Sequence, residues 1–435
     1  MKIAVIGLGF VGLSLATVLA TKSFSVIGID SDKNKISTLR NCKIPFYEPR
    51  LDILLKKTLK RKLIVSSDIS LIKDCKLIFI SVGTPPQNDG SIDLRMIQSV
   101  TAQIAQILTQ MKNEPIILVK STVIPGTTEK KILPILEKKS RKKVGKNFGL
   151  ITNPEFLRET KAVEDTLQPH VVVLGGNNDK FLKFVKKFYS RLHPNVPIIS
   201  TNHQTAEIIK YANNSFLATK ISFINQIARI CEAIRGANVD DVAKAIGLDP
   251  RIGPLFLNAG PGYGGSCLPK DIKAVINFAS QAGVNSSLLN AVELINEDQL
   301  FNIISIIKKK LSPIVGKKIT VLGLAFKPDT DDVRDSVSLK LIKLLLKNKV
   351  SVVVHDPIAI ENTRAIFDSK IYYAKSVKDA LRGSNCAIIM TAWKEYSVLS
   401  SKDFKLMKKQ LIIDCRRILA EKKLDVEYYA VGIGL

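Results

Sequence analysis

The chain has 435 residues, of which 46% are hydrophobic, and its formal net charge at pH 7 is +26. These values predict two or three globular domains, and no uninterrupted apolar stretch reaches the length of a membrane span. The lysines are spread along the chain without an arginine-rich arm or an aromatic stacking motif, so the charge indicates a solvated basic surface rather than a nucleic-acid-binding protein.

The first elements in chain order form a β-α-β pattern. An apolar strand at 2–6 is followed by a glycine turn, a helix at 11–21 and strands at 25–29, 77–81, 116–119 and 148–152. The opening apolar run resembles a signal peptide, but Gly7, Gly9 and Gly12 interrupt it. A nucleotide-binding unit is therefore the better interpretation of this segment.

A helical region follows, and after it a second β-α-β pattern begins. Helices are predicted at 201–236, 240–246, 271–281 and 288–309. The second β-α-β pattern has strands at 318–323, 351–354, 387–390 and 411–414, with a helix at 338–346. Such alternation is typical of parallel sheets covered on both faces. We expect two Rossmann-like, doubly wound α/β domains, residues 1–200 and 311–435, joined by an all-helical segment, residues 201–310, with a long bridging helix.

The apolar positions Ile221, Ile224, Ile227 and Ile230 give the long helix a stripe that offers a dimer surface, although a purely intrachain core fits the same pattern. Six scattered cysteines and four isolated histidines form neither a disulfide framework nor a metal-ligand pattern. This cysteine usage fits a reducing cytosol, so we expect a soluble, cytoplasmic protein without a metal ion.

The first candidate site is the G-x-G-x-x-G turn between the first strand and the first helix. Gly7 permits the tight turn, Gly9 lets a pyrophosphate approach, and Gly12 allows the helix to pack closely on the strand. Asp30 ends the second strand at the distance expected for a residue that accepts hydrogen bonds from the adenosine ribose. A carboxylate there would repel a 2′-phosphate, so NAD is favoured over NADP.

The second candidate site is a cysteine at a predicted helix start. Cys267 precedes Pro269, which suits the first helical position, and the positive end of the helix dipole favours a thiolate. Gly264 and Gly265 leave room for a ligand near the backbone, and Asp271 could act as a base beside the sulfur. An inert buried cysteine is the alternative for this residue on its own.

Two polar groups supply further candidates. Lys210 and Asn214 lie one turn apart on the long helix, where an ammonium and an amide could stabilise an oxyanion, although a solvated stripe is equally compatible. Glu155 and Glu159 follow a predicted strand and are candidates for acid–base work or water positioning, with helix capping as the alternative. Thr122 also follows a strand and could hydrogen-bond a water or a substrate hydroxyl.

The ordered motifs strongly resemble the UDP-glucose/GDP-mannose dehydrogenase family over nearly the whole chain. They are GLGFVG, STVIPG, NPEFLRE, the helix with Lys210 and Asn214, FLNAGPGYGGSCLPKD and GLAFKPDTDDVRDS. With Asn258, the motif around the cysteine resembles the UDP-glucose branch of this family. Two departures are Cys415 and Thr160, which stand where family members commonly have glycine. The resemblance implies an NAD-binding first domain, a helical centre that forms a homodimer and a nucleotide-sugar-binding last domain.

The resemblance also implies roles for individual residues. Implied for catalysis are Cys267 as nucleophile, Lys210 and Asn214 as oxyanion donors, Asp271 in hydrolysis, and Glu155 and Thr122 in acid–base chemistry or water positioning. Implied cofactor contacts are Gly7, Gly9, Phe10, Val11, Gly12, Asp30, Lys35, Thr84, Thr122, Glu159 and Arg334. Implied substrate contacts are Glu155, Phe156, Leu157, Lys210, Asn214, Arg251 from a neighbouring subunit, Phe256, Asn258, Gly264, Lys327 at the diphosphate, and Arg416.

The cofactor turn, the thiol and the oxyanion donors together predict an oxidation through a covalent thioester on Cys267. The resemblance then implies a four-electron oxidation of a sugar C6 alcohol to a carboxylate, with two NAD⁺ used in turn. UDP-glucose is the expected substrate. A GDP-mannose or UDP-N-acetylhexosamine dehydrogenase would share this chemistry. A two-electron 3-hydroxyacid dehydrogenase would share the first domain but would not need Cys267, and a basic nucleic-acid-binding protein would show no turnover.

Overall fold

The computed structural model describes residues 1–434, and the chain divides into two compact units, Met1–Asn213 and Asn214–Leu435. The first unit is built on an eight-stranded sheet. Its strands are β1 (Lys2–Ile6), β2 (Ser25–Ile29), β3 (Leu63–Ser66), β4 (Leu77–Ile80), β5 (Ile116–Val119), β6 (Gly149–Thr152), β7 (Val172–Gly175) and β8 (Ile198–Thr201). The spatial order is β3-β2-β1-β4-β5-β6-β7-β8, and β7 pairs antiparallel with β6 while the other pairs are parallel.

The chain leaves β1 towards β2 and β3 on one side and then returns to β4 on the other. The carboxyl ends of β1 and β4 therefore flank a topological switch point, where open α/β sheets bind ligands. The helices of this unit are α1 (Phe10–Thr21), α2 (Lys33–Arg40), α3 (Leu51–Thr58), α4 (Arg95–Leu108), α5 (Leu133–Ser140), α6 (Ala162–Leu167) and α7 (Asp179–Leu192). The central strands β4 and β5 are apolar and fully buried, as expected for strands covered on both faces.

The long predicted helix is α8 (His203–Glu232), which begins two residues later than predicted and ends four residues earlier. Thr201 belongs to β8, and Asn202 caps the helix, since its Oδ1 accepts a hydrogen bond of 2.8 Å from the Thr205 N–H. Ile224 of the predicted apolar stripe is fully buried in a core within the second unit. A different stripe on α8 is exposed: Phe216, Phe223 and Ile230, spaced seven residues apart, are 65%, 50% and 51% exposed.

The second unit contains further helices and a six-stranded parallel sheet. The helices that follow α8 are α9 (Val239–Gly247), α10 (Leu268–Gln281) and α11 (Ser287–Leu311). The strands are β9 (Lys318–Leu322), β10 (Ser351–His355), β11 (Tyr372–Tyr373), β12 (Cys386–Ile389), β13 (Leu411–Asp414) and β14 (Glu427–Ala430), in the order β11-β10-β9-β12-β13-β14. Between them lie α12 (Val337–Lys347), α13 (Ile360–Phe367), α14 (Val377–Leu381), α15 (Lys394–Ser397) and α16 (Ser401–Phe404). This sheet also has a switch point, between β9 and β12.

The predicted fold class, two doubly wound sheets with an intervening helical segment, is confirmed. One boundary correction bears on the site: α10 begins at Leu268, three residues earlier than predicted, so Cys267 occupies its N-cap position. Within residues 1–434, no helix combines the length and the hydropathy that crossing a bilayer requires.

Candidate active site

The glycine turn of the first unit has the geometry of a pyrophosphate site. Gly7 has a φ of +90°, and a Cβ on it would lie 2.7 Å from the Ser81 carbonyl oxygen. A Cβ on Gly12 would lie 1.8 Å from the Gly7 carbonyl oxygen, so α1 packs against the turn at contact distance. A Cβ on Gly9 would meet no heavy atom within 4 Å. The turn is therefore closed towards the sheet and open at Gly9, where Phe10 and Val11 begin the helix.

Asp30 is already oriented by this turn. Its Oδ2 accepts a hydrogen bond of 2.8 Å from the Leu8 N–H and pairs with Lys35 Nζ at 2.8 Å, while its Oδ1 accepts from the Asp32 N–H at 3.0 Å. The carboxylate is thus fixed beside the glycine turn, and these residues fit the adenosine ribose and pyrophosphate of NAD.

The loops after β4 and β5 are tied together at the same sheet edge. Thr84 Oγ1 donates a hydrogen bond of 2.8 Å to the Thr122 carbonyl oxygen. Both predicted threonines therefore lie beyond the carboxyl ends of neighbouring parallel strands, on the edge to which the glycine turn also belongs.

A buried ion pair lies beyond the carboxyl end of β6. Lys210 Nζ is 3.0 Å from Glu155 Oε1, and the two side chains are 4% and 8% exposed. Burial alone would raise the pKa of Glu155, but the Lys210 ammonium, the Leu157 N–H at 2.5 Å and the charge of Lys120 outweigh it and hold the pKa below its ordinary value. Lys210 Nζ also lies 5.4 Å from the centre of the Phe156 ring. Glu155 is therefore an ionised carboxylate at neutral pH.

Lys120 is a charged neighbour of this pair that sequence reasoning missed as a site residue. It directly follows β5, its Nζ is 3.5 Å from Asn153 Oδ1, and burial lowers its pKa to about 8 despite the nearby Glu155 carboxylate. A cavity of about 50 Å³ is lined by Lys120, Glu155, Phe156 and Leu157 among others, enough for ordered water. The available signal was a lysine placed directly after a wholly apolar strand. Glu159 is half-buried further along the same loop.

In the second unit, Cys267 is exposed at the start of α10. Its Sγ is 3.6 Å from Ser266 Oγ. Pro269 is the second residue of α10, after Leu268, rather than the first as predicted. The preceding glycines accommodate the protein's own chain rather than only a ligand. A Cβ on Gly264 would lie 2.5 Å from the Asp335 carbonyl oxygen, and one on Gly265 would lie 2.8 Å from the Phe326 ring.

Asp271 is buried one turn after the cysteine. Its Oδ2 accepts a hydrogen bond of 2.6 Å from Asn214 Nδ2, and its Oδ1 pairs with Lys270 Nζ at 2.6 Å. The predicted oxyanion donors thus each contact a carboxylate: Asn214 contacts Asp271, and Lys210 contacts Glu155. Spacing on α8 had related Lys210 to Asn214 but had given no indication of these two carboxylate partners.

A candidate ligand site in the second unit is a cavity of about 810 Å³ beyond the carboxyl ends of β9, β12 and β13. Among its lining residues are the predicted substrate contacts Phe256, Asn258, Gly264, Lys327 and Arg416. Lys244 and Arg417 add positive charge that the sequence had not indicated, against the single carboxylate of Asp240. Burial lowers the pKa of Arg416 to about 10, which leaves it charged at neutral pH. The cavity therefore suits an anionic ligand such as a diphosphate.

Two predicted arginines lie outside this cavity lining. Arg251 is 86% exposed at its side chain and pairs with Asp249 at 2.6 Å. Arg334 is 65% exposed and pairs with Asp332 at 2.6 Å. The chain's own geometry thus leaves both guanidinium groups at the surface of the second unit.

The two departures from the resembled motifs behave differently. Cys415 is fully buried in the core beside the second sheet, without a positive φ, and burial raises the pKa of its thiol. The neighbouring Arg416 still reaches the cavity, and its Nε donates to the Met390 carbonyl oxygen at 2.9 Å. Thr160, by contrast, has a φ of +67°, a left-handed conformation that a β-branched residue adopts at a cost.

Among residues 1–434, no cluster of histidine, cysteine and carboxylate side chains could hold a metal ion.

Comparison with known proteins identifies the family. Residues 1–193 match the NAD binding domain of the UDP-glucose/GDP-mannose dehydrogenase family, residues 204–298 match its central domain, and residues 320–421 match its UDP binding domain. The chain belongs to the UDP-glucose/GDP-mannose dehydrogenase family. It is an NAD-dependent nucleotide-sugar dehydrogenase, as the resemblance of its motifs implied.

Relatives in this family are similar to this chain along nearly the whole length of both proteins. The UDP-glucose 6-dehydrogenase AglM of Haloferax volcanii is 38% identical over 431 residues, which cover 98% of this chain and 99% of the relative. A UDP-glucose dehydrogenase structure from Pyrobaculum islandicum has a TM-score of 0.93 at 33% identity and covers 99% of this chain and 98% of its own. A UDP-D-ManNAc dehydrogenase structure from Pyrococcus horikoshii has a TM-score of 0.87 at 26% identity and covers 99% of both chains.

Proposed function

We propose that this dehydrogenase oxidises the C6 alcohol of UDP-glucose to the carboxylate of UDP-glucuronate in two NAD-dependent steps. The observation that carries the proposal lies within the second unit: the cationic cavity is lined by Gly264 and Leu268, which bracket the exposed Cys267 in sequence. A thiol that lies in sequence between two lining residues of a cationic cavity supports covalent capture of the sugar. The similarity to named UDP-glucose dehydrogenases supports UDP-glucose as that sugar.

The glycine turn, Asp30, Lys35 and the Thr84–Thr122 edge would hold the cofactor, which accepts a hydride in each oxidation when bound. Cys267 Sγ adds to the C6 aldehyde that the first oxidation leaves and forms a thiohemiacetal. Removal of the second hydride from C6 gives a thioester on Cys267. Water then attacks the thioester carbon, the thiolate leaves, and the carboxylate product is released.

The paired polar groups support these steps by charge. We assign Lys210 and Asn214 to the oxyanions of the thiohemiacetal and of the hydrolytic intermediate. Glu155, ionised because of Lys210 and Lys120, accepts the proton of the attacking water with Thr122 assisting, and Asp271, held by Asn214 and Lys270, assists the hydrolysis. Lys327 and Arg416 bind the diphosphate in the cationic cavity.

The same proposal assigns three domains: residues 1–200 bind NAD, residues 201–310 form the helical dimerisation and catalytic domain, and residues 311–435 bind the nucleotide sugar. The exposed stripe of Phe216, Phe223 and Ile230 supports a homodimer, since three large apolar side chains are rarely left in water along one helix face. The scattered spacing of the six cysteines, which fits no disulfide framework, supports a reducing, cytoplasmic location. If sedimentation showed an active monomer at assay concentration, this result would contradict the homodimer. It would also contradict the assignment of Arg251 to the substrate bound by a neighbouring subunit.

A panel of nucleotide sugars tests the substrate. We expect the highest kcat/KM with UDP-glucose, and lower values with GDP-mannose, UDP-N-acetylglucosamine and UDP-N-acetylmannosamine. A higher kcat/KM with a UDP-N-acetylhexosamine would instead place this chain with the Pyrococcus horikoshii enzyme in substrate choice, while the covalent chemistry would remain to be tested on that sugar.

A further inference from the structure

One wall of the cationic cavity is held by buried side chains rather than by backbone pairing. Residues 257–260 have irregular backbone. The Gly260 N–H donates to Asn225 Oδ1 at 2.8 Å, and Gln299 Nε2 donates to the Gly260 carbonyl oxygen at 2.7 Å. Arg417 Nη2 donates to the Ala259 carbonyl oxygen at 3.0 Å. Three consecutive polar groups of the backbone are therefore satisfied by side chains from α8, α11 and the segment after β13.

These three side chains, which we call the clamp residues, lie deep in the second unit. Asn225 is 0%, Gln299 3% and Arg417 9% exposed. Among the described residues, Asn225 Nδ2 has no hydrogen-bond partner. Such a buried donor without a partner destabilises the fold, and an apolar residue would avoid this cost. Its amide oxygen, however, is what satisfies the Gly260 N–H.

The clamped backbone contacts Arg416, a candidate diphosphate-binding residue of the cavity. A Cβ on Gly260 would lie 2.9 Å from Arg416 Nη1, so the guanidinium rests directly on this glycine. Asn258 and Gly260 both line the cavity. A shift of Gly260 would therefore displace Asn258 through the backbone and remove the surface on which Arg416 rests.

We propose that Asn225, Gln299 and Arg417 are positioning residues for nucleotide-sugar binding, which act through Ala259 and Gly260 on Asn258 and Arg416. They hold the wall in the ligand-binding conformation before the ligand arrives, so less ordering is needed on binding. The inference rests on the proposed function for the identity of the ligand, a nucleoside diphosphate sugar.

The test compares binding constants with turnover. Gln299→Met removes the donor at similar volume. We expect the KM for UDP-glucose and the calorimetric Kd for UDP to rise together by roughly tenfold, which corresponds to about 1.4 kcal/mol. The KM for NAD⁺ should stay at the wild-type value, and kcat should change by less than about twofold, since the reacting groups are untouched. Asn225→Ala should behave in the same way, whereas Asn225→Asp keeps an acceptor for the Gly260 N–H and should restore both constants.

A matched control is Asn302, which lies on α11, the helix that also carries Gln299. Asn302 Nδ2 donates to Glu232 Oε2 at 3.2 Å rather than to the backbone of the clamped wall. Asn302→Leu should lower the Tm while leaving KM and Kd unchanged. If Gln299→Met and Asn225→Ala behave like this control, the clamp is only structural and the inference is wrong. If Gln299→Met does not fold, the Asn225→Ala and Asn225→Asp pair decides the question. Failure of the wild type to oxidise UDP-glucose would reject the proposed function, while the comparison of UDP affinities would still test the clamp.

Discussion

Replacing Lys210 by methionine removes the cation from the buried pair with Glu155 while keeping most of the side-chain volume. The side chains are 4% and 8% exposed and their charged atoms are 3.0 Å apart, so water cannot easily replace the ammonium. Removing one partner of a buried ion pair costs about 3–5 kcal/mol. Lys120 remains as a second cation near Glu155, so we expect the lower end, about 3 kcal/mol of unfolding free energy in the first unit.

The unfolding free energy lost in Lys210→Met should depend on pH. In the wild type, burial is outweighed by Lys210, and the lowered pKa of Glu155 means that its carboxylate contributes stability above its unfolded pKa, which is lost as the pH falls. In Lys210→Met, burial should raise the pKa of Glu155 above its unfolded value. The variant then loses stability as the pH rises through that raised pKa. The difference between the two proteins should therefore be largest near neutral pH and shrink towards about pH 5.

Thermal unfolding of both proteins at neutral pH and at about pH 5 tests this expectation. For a unit of this size, about 3 kcal/mol corresponds to a fall in Tm of roughly 6–12 °C. The control is Lys180→Met, which breaks an exposed pair with Glu114 at 2.6 Å, where the side chains are 61% and 40% exposed, and should change stability by less than about 1 kcal/mol. A fall in Tm no larger than the control's, or one that grows as the pH is lowered, would refute the reasoning.

Three further substitutions have defined outcomes. Cys267→Ser should still bind UDP-glucose and NAD⁺ but turn over very slowly, because a hydroxyl ionises far less readily than a thiol; wild-type turnover would remove the cysteine from the mechanism. Asp30→Asn should narrow the preference for NAD⁺ over NADP⁺, because it removes a carboxylate and leaves Lys35 2.8 Å from its position; an unchanged ratio of kcat/KM values would contradict the ribose assignment. Thr160→Gly should raise the unfolding free energy by about 1 kcal/mol by relieving the φ of +67°, and a Tm at or below the wild-type value would contradict the strain.

Most interior strands were predictable because they are short apolar runs covered on both faces, but the buried interior strand β7 was not predicted. β5 and β13 have the bounds that their apolar residues predict. The edge strand β8 (Ile198–Thr201) was not predicted, because it is partly exposed and its polar end resembles the start of the helix that follows. The short β11 and β14 carry too few buried residues for a periodic signal.

For the site, the geometry could be predicted where it depends on neighbouring residues. The glycine turn and the cysteine at a helix start follow from neighbouring residues, and both have the predicted local geometry. The contacts of Lys210 with Glu155 and of Asn214 with Asp271 join residues that are far apart along the chain, so spacing carried no information about them. The burial of Lys120 depends likewise on elements distant in sequence.

The central claim is a four-electron oxidation through a thioester on Cys267, and the amount of NADH formed per sugar tests it most directly. Purified enzyme should be given limiting UDP-glucose and excess NAD⁺, with NADH measured by absorbance and the sugar products by mass spectrometry. The account predicts two NADH per UDP-glucose, with UDP-glucuronate as the product and no accumulating aldehyde. One NADH per sugar, with the free C6 aldehyde as the product, would contradict it.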